Sequence, residues 1–372
     1  MMFLAIAGAF GSGTKQRAPA TIRPMEPAQA ELLFSYSRDY GVPIAAAEFT
    51  NEPNMMTMSG LPVGYTAADH ARDHELFGAW LRENYPECMF VGPCTCGDID
   101  KSAMGWNEEG SAGGGIASAL QIVTTEELLG DYNVKMDVFS YHYYNGISER
   151  GAAMGGHWSA EAALTEPYLA MAGNCARAYL ARRDKYVPGG QIWVTESGDA
   201  GCGGNTWAST YMDVPRTLNE LGEFASITDG VIFHNTLASS DYGYLEHGTF
   251  EPRPNYFAVL LWNRLMGDTV YASGEEIREG AHVYCHSRKD GKGGYVYLII
   301  NNSLTDTTTV ELPADAQRYT LSGDGKLRSR KMQLNGTPLT LEENDELPEL
   351  TPVIQPAGTA ELAPGTCTFF VL

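Results

Sequence analysis

The segment Ile44-Ala45-Ala46-Ala47-Glu48-Phe49-Thr50-Asn51-Glu52-Pro53-Asn54 opens with a short apolar run and closes on polar and acidic groups. The run does not alternate, as expected of a parallel strand buried on both faces. Its polar end is the carboxyl end of that strand, where functional groups gather in parallel βα folds. Five further runs carry the same signature, at residues 3–9, 89–92, 138–142, 191–195 and 231–234. Helical stretches separate them. Pro27 opens one whose apolar set Leu32, Leu33 and Tyr36 ends before Gly41, with proline at the start and glycine past the end. Thr66 and Asp69 frame the start of a second, which runs through Leu76, Phe77, Trp80 and Leu81. Others fit residues 161–183, 207–223 (interrupted by Pro215) and 255–266. Strand then helix, six times over, reads as an α/β array of the TIM type, a (β/α) barrel.

After Gly267 the pattern changes to short strands punctuated by Gly, Pro and Asn. Val283 to Ser287 and Tyr295 to Asn301 flank Lys289-Asp290-Gly291-Lys292-Gly293, a hairpin signature. Further strands are expected at residues 307–312, 318–322, 331–334 and 366–372, which together suggest a β-sandwich. The expected division is a catalytic barrel over residues 1–267 and a C-terminal β-sandwich over 268–372.

The 372 residues are 44% hydrophobic and 19% charged, the composition of a folded globular chain. Lys plus Arg number 25 against 46 Asp plus Glu, a formal charge of -21, so a surface that repels polyphosphate argues against a nucleic-acid partner. No apolar run is long enough to span a bilayer. The apolar opening Met1 to Phe10 has no basic residue ahead of it and reads better as a strand than as a signal peptide, which leaves the compartment open. The seven cysteines show no zinc-knuckle spacing and read as free thiols. Residues 111–115, Ser-Ala-Gly-Gly-Gly, form a glycine-rich loop with no Gly-Lys-Ser/Thr after it to hold phosphate.

The strand ends carry the chemistry. The second ends in Glu48 to Asn54, the fourth in Tyr141-His142-Tyr143-Tyr144-Asn145-Gly146, the fifth in Thr195-Glu196-Ser197, and the sixth in Phe233-His234-Asn235-Thr236 followed by Asp241-Tyr242-Gly243-Tyr244. Two carboxylates across a barrel mouth suit glycoside hydrolysis, where one protonates the leaving oxygen and the other attacks or activates water. The bland alternative is that each Glu merely faces a helix N-terminus, which explains one such residue better than two. A serine triad lacks its Gly-x-Ser-x-Gly turn. A metal site built from His142, His234 and a carboxylate is the weaker reading, and His70 with His74 lacks the Glu of a zinc protease.

These residues resemble a known family. Asn51-Glu52-Pro53-Asn54 and Thr195-Glu196-Ser197 resemble the clan A retaining glycosidases, and more specifically glycoside hydrolase family 79, the heparanase and β-glucuronidase-like enzymes. Tyr141 to Gly146, Ala200-Gly201-Cys202-Gly203-Gly204, Ser240-Asp241-Tyr242-Gly243 and Phe250 to Tyr256 resemble further family segments, as do Gln333 to Gly336 and Thr368 to Leu372. The resemblance runs in order along essentially the whole chain.

It implies a retaining mechanism with Glu52 as acid/base and Glu196 as nucleophile, the latter kept ionised by hydrogen bonds, Tyr143 being the expected donor. It further implies substrate contacts from Asn51 (to the sugar 2-OH), His142, Tyr143, Gly203 and Tyr242, and it implies no cofactor and no metal. Glu48 shares strand parity with Glu52 but lies deeper, which suggests a packed ionic role. The expected substrate is a glucuronide or a glucuronic-acid-containing glycan. One tyrosine of the family's carboxylate clamp corresponds here to Gly201, with Tyr244 as a possible substitute, so a neutral-sugar glycosidase and a non-catalytic carbohydrate-binding relic stand as alternatives. A closed barrel needs eight strands and six are legible, so an N-terminally truncated barrel lacking its first two strands is expected.

Overall fold

The computed structural model describes residues 2–5, 22–56, 59–99, 122–130, 135–154 and 156–372. Expected strand residues 6–9 and the loop at 111–115 lie outside these. Strands and helices alternate through the first part: β1 (Met2–Ala5), α1 (Ala28–Asp39), β2 (Ile44–Glu48), α2 (Ala67–Asn84), β3 (Met89–Cys96), α3 (Thr125–Leu129), β4 (Val138–Tyr144), α4 (Glu166–Tyr186), β5 (Gln191–Gly198), α5 (Val214–Ile227), β6 (Ile232–His234) and α6 (Pro254–Leu265). The six strands form one parallel sheet in chain order, β1 to β6, an incomplete barrel.

The local rules explain most boundaries. Thr66 and Asp69 close a capping box at the start of α2. Pro215, which sits awkwardly inside an expected helix, is in fact in the first turn of α5, because residues 206–209 and 211–213 form separate 3₁₀ turns ahead of it. In α1 the buried residues are Ala30, Phe34 and Ser37. The expected apolar set Leu32, Leu33 and Tyr36 faces outward instead, on the flank of the sheet's β1–β2 edge.

Strand alternation sorts the core into layers. Phe90, Phe139, Tyr141 and Tyr143 point outward and pack with Phe77, Tyr179 and Phe224 from the helices. Ala46, Val91, Val138 and Trp193 form a small separate cluster on the sheet.

The chain then enters β7 (Met266–Tyr271), β8 (His282–Arg288), β9 (Tyr295–Asn301), β10 (Thr308–Leu312), β11 (Ala316–Gly323), β12 (Met332–Leu334), β13 (Thr337–Pro338), β14 (Val353–Gln355), β15 (Gly358–Leu362) and β16 (Thr366–Val371). The large sheet runs β13-β12-β11-β16-β9-β8-β7 with β14 also on β11, and β10 pairs with β15 separately. One apolar cluster joins Tyr211, Leu218, Phe257 and Leu261 of the first part to Leu298, Ile300 and Phe369 of the large sheet. A second, with Val283, Ile299, Leu312, Leu362 and Phe370, fills the space between the two sheets. Among the described residues no helix is long and apolar enough to cross a membrane.

Candidate active site

Two irregularities at strand ends build the site. Between β3 and β4 the register shifts at Cys94, which has φ 64°, so that Cys96 pairs with His142. Between β4 and β5 it shifts again, so that Glu196 rather than Thr195 stands opposite His142. Such bulges re-aim side chains where a ladder ends. Glu52, four residues beyond the end of β2, has φ 44°. A non-glycine residue held there carries roughly 1–3 kcal/mol of strain, a cost tolerated mostly where the side chain must be aimed.

The Glu52 turn is pinned from below. Asn54, fully buried, donates Nδ2–H to the carbonyl of Cys96 at 2.8 Å and accepts the Cys96 N–H on Oδ1 at 3.0 Å. This ties the loop after β2 to the end of β3.

His142 Nδ1–H donates to Glu52 Oε1 at 3.0 Å and lies 3.8 Å from Glu196 Oε2. One carboxylate oxygen of each Glu and a His142 ring nitrogen all fall within 4.8 Å of one another. Burial works against charge on His142, but the bond to Glu52 and the charges of Glu196, Glu48 and Glu52 outweigh it and raise its pKa. Glu196 Oε1 accepts the hydroxyl of Tyr144 and an Asn235 N–H at 3.1 Å. Asn235 Nδ2 also lies 2.9 Å from the Tyr144 hydroxyl and 3.1 Å from that of Tyr242. Burial, then the charge of Glu196, pushes both tyrosines up, so each hydroxyl keeps its proton and can donate.

The expected residues divide as follows. Glu52, His142, Glu196 and Tyr242 come together, and Asn51 lies half-buried beside Glu52. Tyr143 does not reach Glu196. Side chains alternate along β4, so Tyr143 faces the helices, packs on Phe224, and its hydroxyl has no hydrogen-bond partner among the described residues. Tyr144, one residue on, makes the bond expected of it. Gly203, at φ 92°, accepts the Asp241 N–H on its carbonyl, while its own N–H has no acceptor among the described residues. Arg150 spans this loop, donating to the carbonyl of Gly204 at 2.6 Å and to Asp241.

Tyr244 does not substitute in a clamp. It stacks on His234 at 4.1 Å and lines a cavity of about 470 Å³ between α5, α6 and β6, with Glu220 and Trp262. His234 donates Nε2–H to the carbonyl of Tyr242 and stands apart from His142, so the pair does not form the metal site weighed from the sequence. His70 and His74 stack on each other in the core, where burial holds His70 down to about 4 and holds His74 well below the usual imidazole range.

Glu48 is 1% exposed, and neither of its oxygens has a hydrogen-bond partner among the described residues. In place of an ionic partner on a neighbouring element it faces Cys94 and His142. All seven cysteines are free, six of them buried and Cys202 exposed.

Beneath the glycine loop lies a buried ionic layer. Arg216 binds Asp213 Oδ1 at 2.6 Å and also Glu220, and Asn255 donates to Asp213 Oδ2 at 2.6 Å. Asp199 receives both the backbone and side-chain N–H of Asn205, at 3.0 and 2.9 Å. Burial first, then the charge of Asp213, pushes its carboxyl up to about 8. Asn235, Tyr144 and Arg150 were not singled out from sequence, although Asn235 stands directly after β6 and Tyr144 at the end of β4.

No family model matches the chain. Among curated proteins it is 29% identical over 276 residues to heparanase-like protein 1 of Arabidopsis thaliana, covering 64% of this chain and 50% of that protein. It is 29% identical over 170 residues to baicalin-beta-D-glucuronidase of Scutellaria baicalensis, covering 43% and 32%. It is also 29% identical over 211 residues to inactive heparanase-2 of Homo sapiens, covering 50% and 36%. The chain thus spans half or less of the length of these relatives.

Among solved structures, CelM2, a bifunctional glucanase-xylanase from a metagenome library, superposes with a TM-score of 0.58 at 15% identity, covering 93% of this chain and 68% of that one. The 4-O-alpha-L-rhamnosyl-beta-D-glucuronidase of Fusarium oxysporum 12S gives 0.56 at 14% identity, covering 92% and 74%. At such identities the match is one of fold. The chain is thus similar in sequence to heparanase-like proteins and to a β-glucuronidase, and in fold to solved glycosidase structures.

Proposed function

We propose that the chain is a retaining exo-β-glucuronidase, with Glu196 as nucleophile and Glu52 as acid/base. The observation that carries this reading is the pairing of Glu52 and Glu196 on two strand ends, with carboxylate oxygens within 4.8 Å. Retaining glycosidases hold their carboxyls about 5–5.5 Å apart, whereas inverting ones leave room for a water at about 6.5–9.5 Å. In the first step a Glu196 oxygen bonds the anomeric carbon as the glycosidic bond breaks, and the Glu52 proton goes to the leaving oxygen. In the second, Glu52 takes a proton from water, the water oxygen bonds the anomeric carbon, and Glu196 is released.

His142 holds Oε1 of Glu52, leaving Oε2 to exchange the proton. Tyr144 and Asn235 hold Oε1 of Glu196, leaving Oε2 to attack. The free N–H of Gly203, with the Tyr242 hydroxyl nearby, suits a sugar carboxylate.

Exo action is supported by charge. Arg182 pairs with Asp98 and Glu126, Arg183 with Asp184, Arg328 with Glu161 and Arg330 with Glu246, so these basic residues are already matched by acidic partners of the chain itself. A neutral-sugar reading is favoured by Gly201. A Cβ there would meet only the carbonyl of Gly146, at 3.8 Å, so the clamp hydroxyl of the family has no counterpart at this position.

Hydrolysis of aryl β-glucuronide, glucoside and xyloside, with the anomer of the first-formed product followed by proton NMR, tests the proposal. Glucuronide cleavage giving the β-anomer first is expected. The α-anomer first would overturn retention, a preference for the neutral sugars would overturn the substrate, and no turnover on folded protein would favour the non-catalytic reading.

A further inference from the structure

Behind the carboxylate pair lies a second constellation. Glu48, Cys94 and His142 each offer a ligand atom, all within 4.8 Å of one another, and all three residues are buried. They come from β2, β3 and β4, so three neighbouring strands hold them. Cys94 Sγ lies 3.0 Å from His142 Nε2. At 1% exposure, neither oxygen of Glu48 has a nitrogen or oxygen donor among the described residues, and the weak donor beside it is the Cys94 thiol. A carboxylate removed from water without a partner is costly, and a cation is one of the few things that offsets it.

We propose that Glu48, Cys94 and His142 form a binding site for a thiophilic divalent cation of the zinc and cadmium class, directly behind the carboxylate pair.

Ligand type, charge and geometry support this. Thiolate, imidazole and carboxylate are the ligand classes of zinc, and a divalent cation neutralises a thiolate and a carboxylate together. Binding releases the Cys94 thiol proton, and any proton on Nε2, to solvent. Tetrahedral Zn–S and Zn–N bonds place sulfur and nitrogen about 3.5 Å apart, so the Cys94–His142 pair must open by about 0.5 Å. The other ring nitrogen of His142 already donates to Glu52. A metal on Nε2 therefore creates a carboxylate–histidine–metal series, with Glu52 as the outer carboxylate. The cation site does not rest on the proposed role of Glu52.

Full-length protein stripped with chelator is titrated with cadmium, reading the thiolate-to-cadmium charge-transfer band and the metal retained after gel filtration. Wild type is expected to bind one equivalent and to show the band, with zinc competing for it. Cys94→Ser is expected to abolish the band, Glu48→Gln to weaken binding by about 100-fold, the upper range lost when even an outer partner is removed, and Cys202→Ser to change neither. Circular dichroism confirms that each variant is folded, and Glu48→Gln keeps the test open should Cys94→Ser fail to fold.

No band in folded wild type, or a band that survives Cys94→Ser or disappears with Cys202→Ser, would overturn the site. Binding with no hydrolysis even in metal-free protein would count against the proposed function and leave the site standing.

Discussion

Tyr143 and Tyr144 are chemically identical neighbours on β4 with opposite roles, and removing each hydroxyl separates them. Tyr144→Phe takes away the donor to Glu196 Oε1 and leaves the packing of the ring intact. A hydrogen bond to a charged group contributes about 1.5–3 kcal/mol. Asn235 stays on the same oxygen at 3.1 Å and retains part of that, so about 1.4–2.7 kcal/mol of transition-state stabilisation is expected to go. This corresponds to a fall of about 10- to 100-fold in kcat/KM. Tyr143→Phe removes a buried hydroxyl that has no partner among the described residues, so activity is expected to stay within about 3-fold and stability to hold or rise.

The assay is initial-rate hydrolysis of an aryl glucuronide by both variants, with thermal melts to show equal folding. Tyr144→Phe combined with Asn235→Ala is expected to lose less than the product of the single losses, since both groups share one oxygen. Equal losses for the two tyrosine variants, or a silent Tyr144→Phe, would refute the alternation argument and the role given to Tyr144.

Three further outcomes follow from the supporting layers. Asn54→Ala strips both bonds that tie the Glu52 turn to Cys96 and is expected to cost about 2–4 kcal/mol in urea unfolding; a loss below 1 kcal/mol would show the turn held by other means. Arg216→Met leaves Asp213 and Glu220 buried without their cation and is expected to cost about 3–5 kcal/mol by the same measurement. Asp199, raised to about 8 in the folded chain against about 3.9 unfolded, binds more protons folded than unfolded between those values. Its contribution to stability is full below about pH 4 and gone above about pH 8, so wild type is expected to lose stability relative to Asp199→Asn as pH rises from 5 to 8.5; parallel melting curves would contradict this.

Much of the fold was legible because the parallel strands are buried on both faces. A run such as Ile44–Glu48 needs no partner to be read, and the polar residues after it mark the strand's carboxyl end. What escaped was set by geometry beyond the chain's local pattern. The exchange of Tyr144 for Tyr143 depends on which parity of β4 faces the barrel, and Phe139, Tyr141 and Tyr143 are as apolar as any core face once seen together. Placing Glu196 opposite His142 depends on a bulge that periodicity does not announce. Asn235 was in view at the end of β6, yet nothing local distinguishes it from a turn residue. In α1 the sequence pattern favours Leu32, Leu33 and Tyr36, whereas the residue buried is Phe34, packed on Trp80 and Tyr85. The short strand β14 rests on pairing with the distant β11, a contact no local window contains.

The most direct test of the account is covalent trapping. The purified chain is incubated with a 2-fluoro-glucuronyl fluoride, the intact mass is measured, and the labelled peptide is sequenced. One label per chain, on Glu196, is the result the account predicts, because that carboxylate forms the glycosyl ester. A label on Glu52, or no label on folded protein that takes up the neutral-sugar reagent instead, would contradict it.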